Sequence, residues 1–152
     1  MPLLNLDKFT IKDEPIPAER LASMVEADQT KDLSVQLRDN GYLLLRSVYN
    51  PSDVQAARDE ILKRLAEVGE VAEPISDAIS TGTSDRRLHY PNTKELGAFW
   101  KSVSEGSALR RVINGPEITG VMEKIFGEKV THFSFAWLRA MQAGKASPVH
   151  MD

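Results

Sequence analysis

Apolar residues recur at helical spacing in the first third of the chain. Between residues 18 and 29 this spacing predicts a first helix. A second, shorter helix is predicted from Lys31 to Asn40, because Gly41 can take the left-handed conformation that closes a helix. Both helices follow an arm at residues 1–17 that is rich in proline and charged residues.

The pattern changes after the second helix. The run from Tyr42 to Tyr49 is aromatic and aliphatic and is bounded by turn residues, which predicts a buried strand. Asn50 and Pro51 then supply a capping side chain and a first-turn proline, so a long helix is predicted from here to about Gly69. The apolar stripe of this helix is predicted to pack in the core and consists of Val54, Ala57, Ile61, Leu65 and Val68.

Glycine and proline divide the residues that follow. Residues 70–92 are predicted to be mostly irregular, and shorter helices are predicted at 96–103, 108–113 and 118–126. From Val130 to Gln142 the side chains alternate, which predicts a strand with a packed face that is large and aromatic and a roomier face that is small. The large face carries Thr131, Phe133, Phe135, Trp137, Arg139 and Met141.

Composition narrows the classes of partner and site. The chain has 152 residues, a net charge of −3 and no cysteine. This length fits one domain, taken as residues 18–152. The slightly acidic balance argues against a nucleic-acid or acidic-membrane partner, and the absence of cysteine excludes disulfides and cysteine-based metal sites. No membrane span or secretory signal is recognisable, which favours a cytoplasmic location.

His150 and Asp152 form the strongest chemical motif. On an extended backbone, residues two apart project from the same face, so the imidazole and the carboxylate can reach one metal ion. They would form two-thirds of the two-histidine-one-carboxylate triad of non-haem Fe(II) oxygenases. The alternative is a turn histidine beside an acid, and Mn(II), Ni(II) or Co(II) would suit the same donors.

Two separated stretches resemble the phytanoyl-CoA dioxygenase family. One is the strand-and-turn segment 135–148 leading into His150-Met151-Asp152, and the other is the segment 37–54, with Asn-Gly-Tyr before the first strand and a proline-capped helix after it. Together they frame residues 33–152. The resemblance implies an α+β fold, with N-terminal helices and the first strands of a double-stranded β-helix, a cupin-like jelly roll that is incomplete in this chain.

The resemblance also implies an Fe(II)- and 2-oxoglutarate-dependent dioxygenase that hydroxylates a small-molecule or acyl substrate, with His150 and Asp152 as metal ligands. In that family the second histidine ligand and the arginine that binds 2-oxoglutarate lie downstream of His-x-Asp. The chain is therefore expected to be the N-terminal portion of a longer enzyme or a truncated product. A non-catalytic fragment that binds a partner through an exposed strand edge is the alternative. The oligomeric state cannot be read from the pattern.

Six other side chains are considered for function. Arg139 with Trp137 is expected either to help hold 2-oxoglutarate or to stack with its guanidinium in water. His132 is interpreted as a polar strand residue rather than a third ligand. His89 would line a substrate entrance, where Arg86 and Arg87 would attract an anionic group, or belong to a solvated loop.

Overall fold

Six α-helices and one 3₁₀ turn make up the helical structure of residues 24–138, which are the residues that the computed structural model describes. The helices are α1 (Leu33–Asn40), α2 (Pro51–Ala66), α3 (Arg86–His89), α4 (Thr93–Ser104), α5 (Ser107–Ile113) and α6 (Pro116–Phe126), and the 3₁₀ turn is Ile75–Asp77. Five of the six helices correspond to predicted ones. The exception, α3, is a single turn within the segment that was predicted to be mostly irregular.

Helix ends follow local side-chain chemistry. The Asn50 carboxamide accepts a hydrogen bond from the Ser52 backbone N–H, and Pro51 occupies the first turn of α2, as the sequence predicts. Gly41 and Gly127 close α1 and α6 with φ angles of 76° and 73°, a region in which side chains other than glycine are strained. These boundaries depend on neighbours within a few residues, which is why the sequence predicts them.

The first predicted helix is wrong where the structure describes it. Residues 24–29 are not helical, and Glu26 instead forms an isolated parallel bridge with Leu44. The Asp28 carboxylate accepts hydrogen bonds from the backbone N–H and the hydroxyl of Thr30. Such local bonds offer the backbone a turn in place of a helix. Residues 1–23, which include the predicted arm, lie outside the described residues.

The strand predicted from Tyr42 to Tyr49 is also wrong. The segment has one bridge, Glu26 to Leu44, and no ladder. Its apolar side chains line a cavity together with Val54 and Ile118. A strand needs a neighbouring backbone along its length to pair its N–H and C=O groups, and side-chain pattern alone does not supply one.

The strand predicted from Val130 to Gln142 is also wrong as far as residue 138, where the description of the chain ends. Residues 130–138 have no strand pairing. The aromatic side chains that were expected to pack are exposed, with Phe133 at 90%, Phe135 at 73% and Trp137 at 76%. Since no sheet forms within residues 24–138, the α+β class and the jelly-roll strands are corrected to a mainly helical structure there. Strand addition to an exposed edge loses its basis in this part of the chain.

The core lies between α2, α4 and α5. The helix α2 packs against α5, and α1 packs against α6. Val68, just after α2, clusters with Phe99 and Val103 of α4. Of the predicted α2 stripe, Ala57, Leu65 and Val68 are buried, and Val54 is 44% exposed. Helices this short draw most of their stability from such packing.

None of the helices between residues 24 and 138 has the length and apolar character needed to cross a membrane.

Candidate functional site

The predicted metal ligands are not among the residues that the structure describes. His150 and Asp152 lie beyond residue 138, as does Arg139. Their assignment therefore rests on the sequence motif. Within residues 24–138, no three side chains of histidine, aspartate or glutamate are grouped so that they could hold a metal ion.

Trp137 lines a cavity. The cavity has a volume of about 710 Å³ and lies between α4 and residues 134–138, which are neither helix nor strand. The size is typical of small-molecule sites. Trp137 is thus placed where a small molecule would contact it, whereas its predicted pairing with Arg139 lies outside the described residues.

The cavity combines aromatic and charged walls drawn from three parts of the chain. Its side chains with aromatic or charged groups are Arg86, Trp100, Lys101, Glu105, Phe135 and Trp137. The contributions of α4 were missed in the sequence, where this segment was interpreted only as a helix. The sequence signal for this wall was Trp100 followed by Lys101 and, one helical turn later, Glu105. This pattern is too common in helices to indicate a binding site by itself.

Arg86 is held in a fixed position on one wall. Its Nε donates to the Glu70 carboxylate, whose side chain is only 11% exposed. Its guanidinium carbon lies 4.1 Å from the centroid of the Trp100 ring, a cation–π contact. The prediction that Arg86 attracts an anionic group is untested, and the structure shows that one carboxylate already pairs with it.

A carboxylate shared by two cations also lines the cavity. Glu105 lies 4.0 Å from the Lys101 ammonium and 3.6 Å from the Arg110 guanidinium. Arg110 also donates to the backbone carbonyl of Ser134 and so connects α5 with the wall segment. The Glu105 carboxylate therefore forms ion pairs with both Lys101 and Arg110.

The other histidine candidates are exposed side chains outside the cavity. A ring nitrogen of His132, Nε2, lies 3.0 Å from the Thr119 hydroxyl of α6. His132 was interpreted as a polar strand residue, and it is polar and exposed, but its segment is not a strand. His89 lies at the end of α3, with its ring centroid 6.4 Å from that of Tyr90. Arg87, on the same turn, is exposed.

The sequence was compared with protein-family models and with curated proteins, and the chain was compared with solved structures. None of the three comparisons finds a match. The function is therefore inferred from the sequence motifs and from the described residues.

Proposed function

We propose that this chain contributes His150 and Asp152 as metal ligands to an Fe(II)- and 2-oxoglutarate-dependent oxygenase that acts on a small-molecule or acyl substrate. The observation that supports this most is the order of residues from Phe135 to Asp152, an alternating segment and a glycine turn before His-x-Asp, which resembles the metal-binding segment of the phytanoyl-CoA dioxygenase family. The Asn-Gly-Tyr motif and the proline-capped helix, both within residues 37–54, resemble the opening segment of the same family, and the two segments occur in the family's order. The proposal rests on these motif residues and not on the strands that the resemblance implies, which do not form within residues 24–138.

The donor set fits the metal. A neutral imidazole and a carboxylate are the ligand types of non-haem Fe(II) sites, which keep positions open for a co-substrate and dioxygen. With 2-oxoglutarate, the bound iron would supply the activation of dioxygen. The same donors accept Mn(II) or Co(II), which allows binding to be measured without oxygen chemistry.

The chain's own part in the reaction is to hold and orient. His150 must be neutral and Asp152 ionised to bind the ion, so metal affinity falls as the pH drops through the histidine range. The Arg139 guanidinium is suited to pair with a carboxylate of 2-oxoglutarate. Trp137, whose side chain is exposed, would help Arg139 to hold 2-oxoglutarate.

The test is metal binding by the full chain. We expect His150→Ala and Asp152→Asn each to lower the affinity for Co(II) by at least about tenfold, measured by titration calorimetry and by visible absorption. His132→Ala is the matched control and should leave the affinity unchanged. Equal binding by the wild-type chain and both ligand variants would overturn the proposed metal pair.

An activity measurement on the native protein completes the test. Iron-dependent formation of succinate from 2-oxoglutarate should disappear in His150→Ala and persist in His132→Ala. Succinate formation that survives the His150 substitution would contradict the proposal.

A further inference from the structure

We propose that the cavity between α4 and residues 134–138 binds a small organic anion that carries an aromatic ring. The inference uses only described residues and does not depend on the proposed metal pair. It rests on three features of the cavity: its size, its aromatic walls and its excess of positive charge.

The aromatic walls favour a planar ligand. Trp100 is half-buried, and Arg86 already covers one face of its ring. Phe135 and Trp137 line the same cavity, with 73% and 76% of their surface exposed. An aromatic ring bound in the cavity would remove part of this apolar surface from water and stack on these side chains with an offset or edge-on geometry.

The charges around the cavity favour an anion. Two cations, Arg86 and Lys101, and one carboxylate, Glu105, line it. Glu70 and Arg110 do not line the cavity, but each forms an ion pair with a residue that does. With them, the group contains three cations (Arg86, Lys101, Arg110) and two carboxylates (Glu70, Glu105). The group therefore carries one positive charge in excess, which a carboxylate or sulfonate on the ligand would neutralise.

Lys101 is the cation best placed to receive the ligand. Its side chain is 71% exposed, and its ion pair with Glu105 is long, at 4.0 Å. If a ligand anion replaced Glu105 as the partner of Lys101, Glu105 would keep its contact with Arg110 at 3.6 Å. The exchange leaves no carboxylate without a cation, so binding requires little rearrangement of charge.

A pair of fluorescent probes separates the charge from the apolar contribution. The probe 8-anilinonaphthalene-1-sulfonate is an aromatic anion, and N-phenyl-1-naphthylamine has the same ring system without the sulfonate. We expect Lys101→Gln to weaken binding of the sulfonate probe by about fivefold, as for the loss of one partly exposed ion pair, and to leave the neutral probe unaffected. Lys124→Gln, an exposed lysine on α6, is the matched control and should change neither affinity.

A second pair of variants locates the aromatic contact. Trp137→Ala should weaken both probes, whereas Phe126→Ala, which removes an aromatic side chain that is 64% exposed outside the cavity, should weaken neither. Circular dichroism checks that each variant keeps its helices. If Trp137→Ala loses them, the comparison of Lys101→Gln with Lys124→Gln tests the proposal, because both substitutions are at exposed side chains. Equal effects of Lys101→Gln and Lys124→Gln, or of Trp137→Ala and Phe126→Ala, would overturn the proposal.

Discussion

Arg111 shows how single residues tie distant parts of the chain together. Its guanidinium donates two hydrogen bonds to the Glu117 carboxylate, at 2.6 and 2.7 Å, and lies 3.1 Å from Asp53. These residues belong to α5, α6 and α2, respectively. The paired hydrogen bonds from Arg111 lower the pKa of Glu117 from the usual 4.5 to about 2, and the same bonds raise the pKa of Arg111.

This contact predicts a dependence of stability on pH. Because the pKa of Glu117 is lower in the folded state, its contribution is complete above the unfolded value of 4.5 and is lost as the pH falls toward about 2. Glu117→Gln should therefore lower the free energy of unfolding at pH 6, and the difference from wild type should shrink between pH 4.5 and pH 2.5. Urea unfolding across this range measures both curves.

The control for this prediction is Glu123→Gln on the same helix, which removes a carboxylate outside the Arg111 contact. If the difference in the free energy of unfolding between wild type and Glu117→Gln stays constant from pH 6 to pH 2.5, the lowered pKa is wrongly assigned to Glu117.

At the scale of elements, the start of α5 depends on a residue from another helix. The helix has seven residues, and no side chain of its own N-cap, Gly106, can bond its first N–H groups. The Glu60 carboxylate, on α2, accepts hydrogen bonds from the backbone N–H groups of Ala108 and Leu109, each at 3.1 Å. A negative charge at this end also matches the helix dipole.

Replacing this carboxylate should weaken the contact between α2 and α5. We expect Glu60→Gln to lower the free energy of unfolding by about 1 kcal/mol, since the amide keeps one acceptor and loses the charge. Urea unfolding followed by circular dichroism measures the change, and Glu128→Gln, at an exposed position after α6, is the control. If both variants unfold at the same urea concentration as wild type, Glu60 does not cap α5.

Gly106 is part of the same arrangement. A Cβ atom at this position would lie 2.0 Å from the Glu60 carboxylate, so a side chain here would displace that carboxylate from the start of α5. The glycine leaves room for the Glu60 cap, and its φ of −55° is open to any residue.

At the scale of the whole molecule, a small apolar core holds the described helices together. Within residues 24–138 the buried hydrophobic side chains are Leu33, Ala57, Leu62, Leu65, Val68, Phe99, Val103 and Leu109, and no polar or charged side chain there is fully buried. Phe99 is central because its ring stacks on Tyr90, with centroids 4.7 Å apart, and lies 5.2 Å from the Arg64 guanidinium carbon.

Truncation of this ring should be costly. Phe99→Ala is expected to lower the free energy of unfolding by about 3–5 kcal/mol, because it removes buried apolar area and leaves a cavity. Phe126→Ala, at a residue that is 64% exposed, should change it by less than about 1 kcal/mol. Chemical unfolding of both variants compares the two positions, and equal losses would show that Phe99 is not central to the core.

The sequence by itself determined the features that depend on near neighbours. Asn50 and Pro51 start α2, Gly41 and Gly127 end α1 and α6, and apolar spacing places most of the helices, because capping and helical periodicity act over a few residues. The proposed metal pair is also a sequence motif, and its assignment to His150 and Asp152 stays a prediction.

The tertiary structure decided what depends on residues far apart in the chain. The apolar run at residues 42–49 and the alternation along residues 130–138 resembled strands, yet a strand exists only where another backbone pairs with it, and that partner is not local. The cavity likewise required Arg86, Trp100 and Trp137, three residues from separate segments, to meet around one volume. No local pattern encodes such a meeting, since it results from the packing of helices against each other and against the segment that follows them.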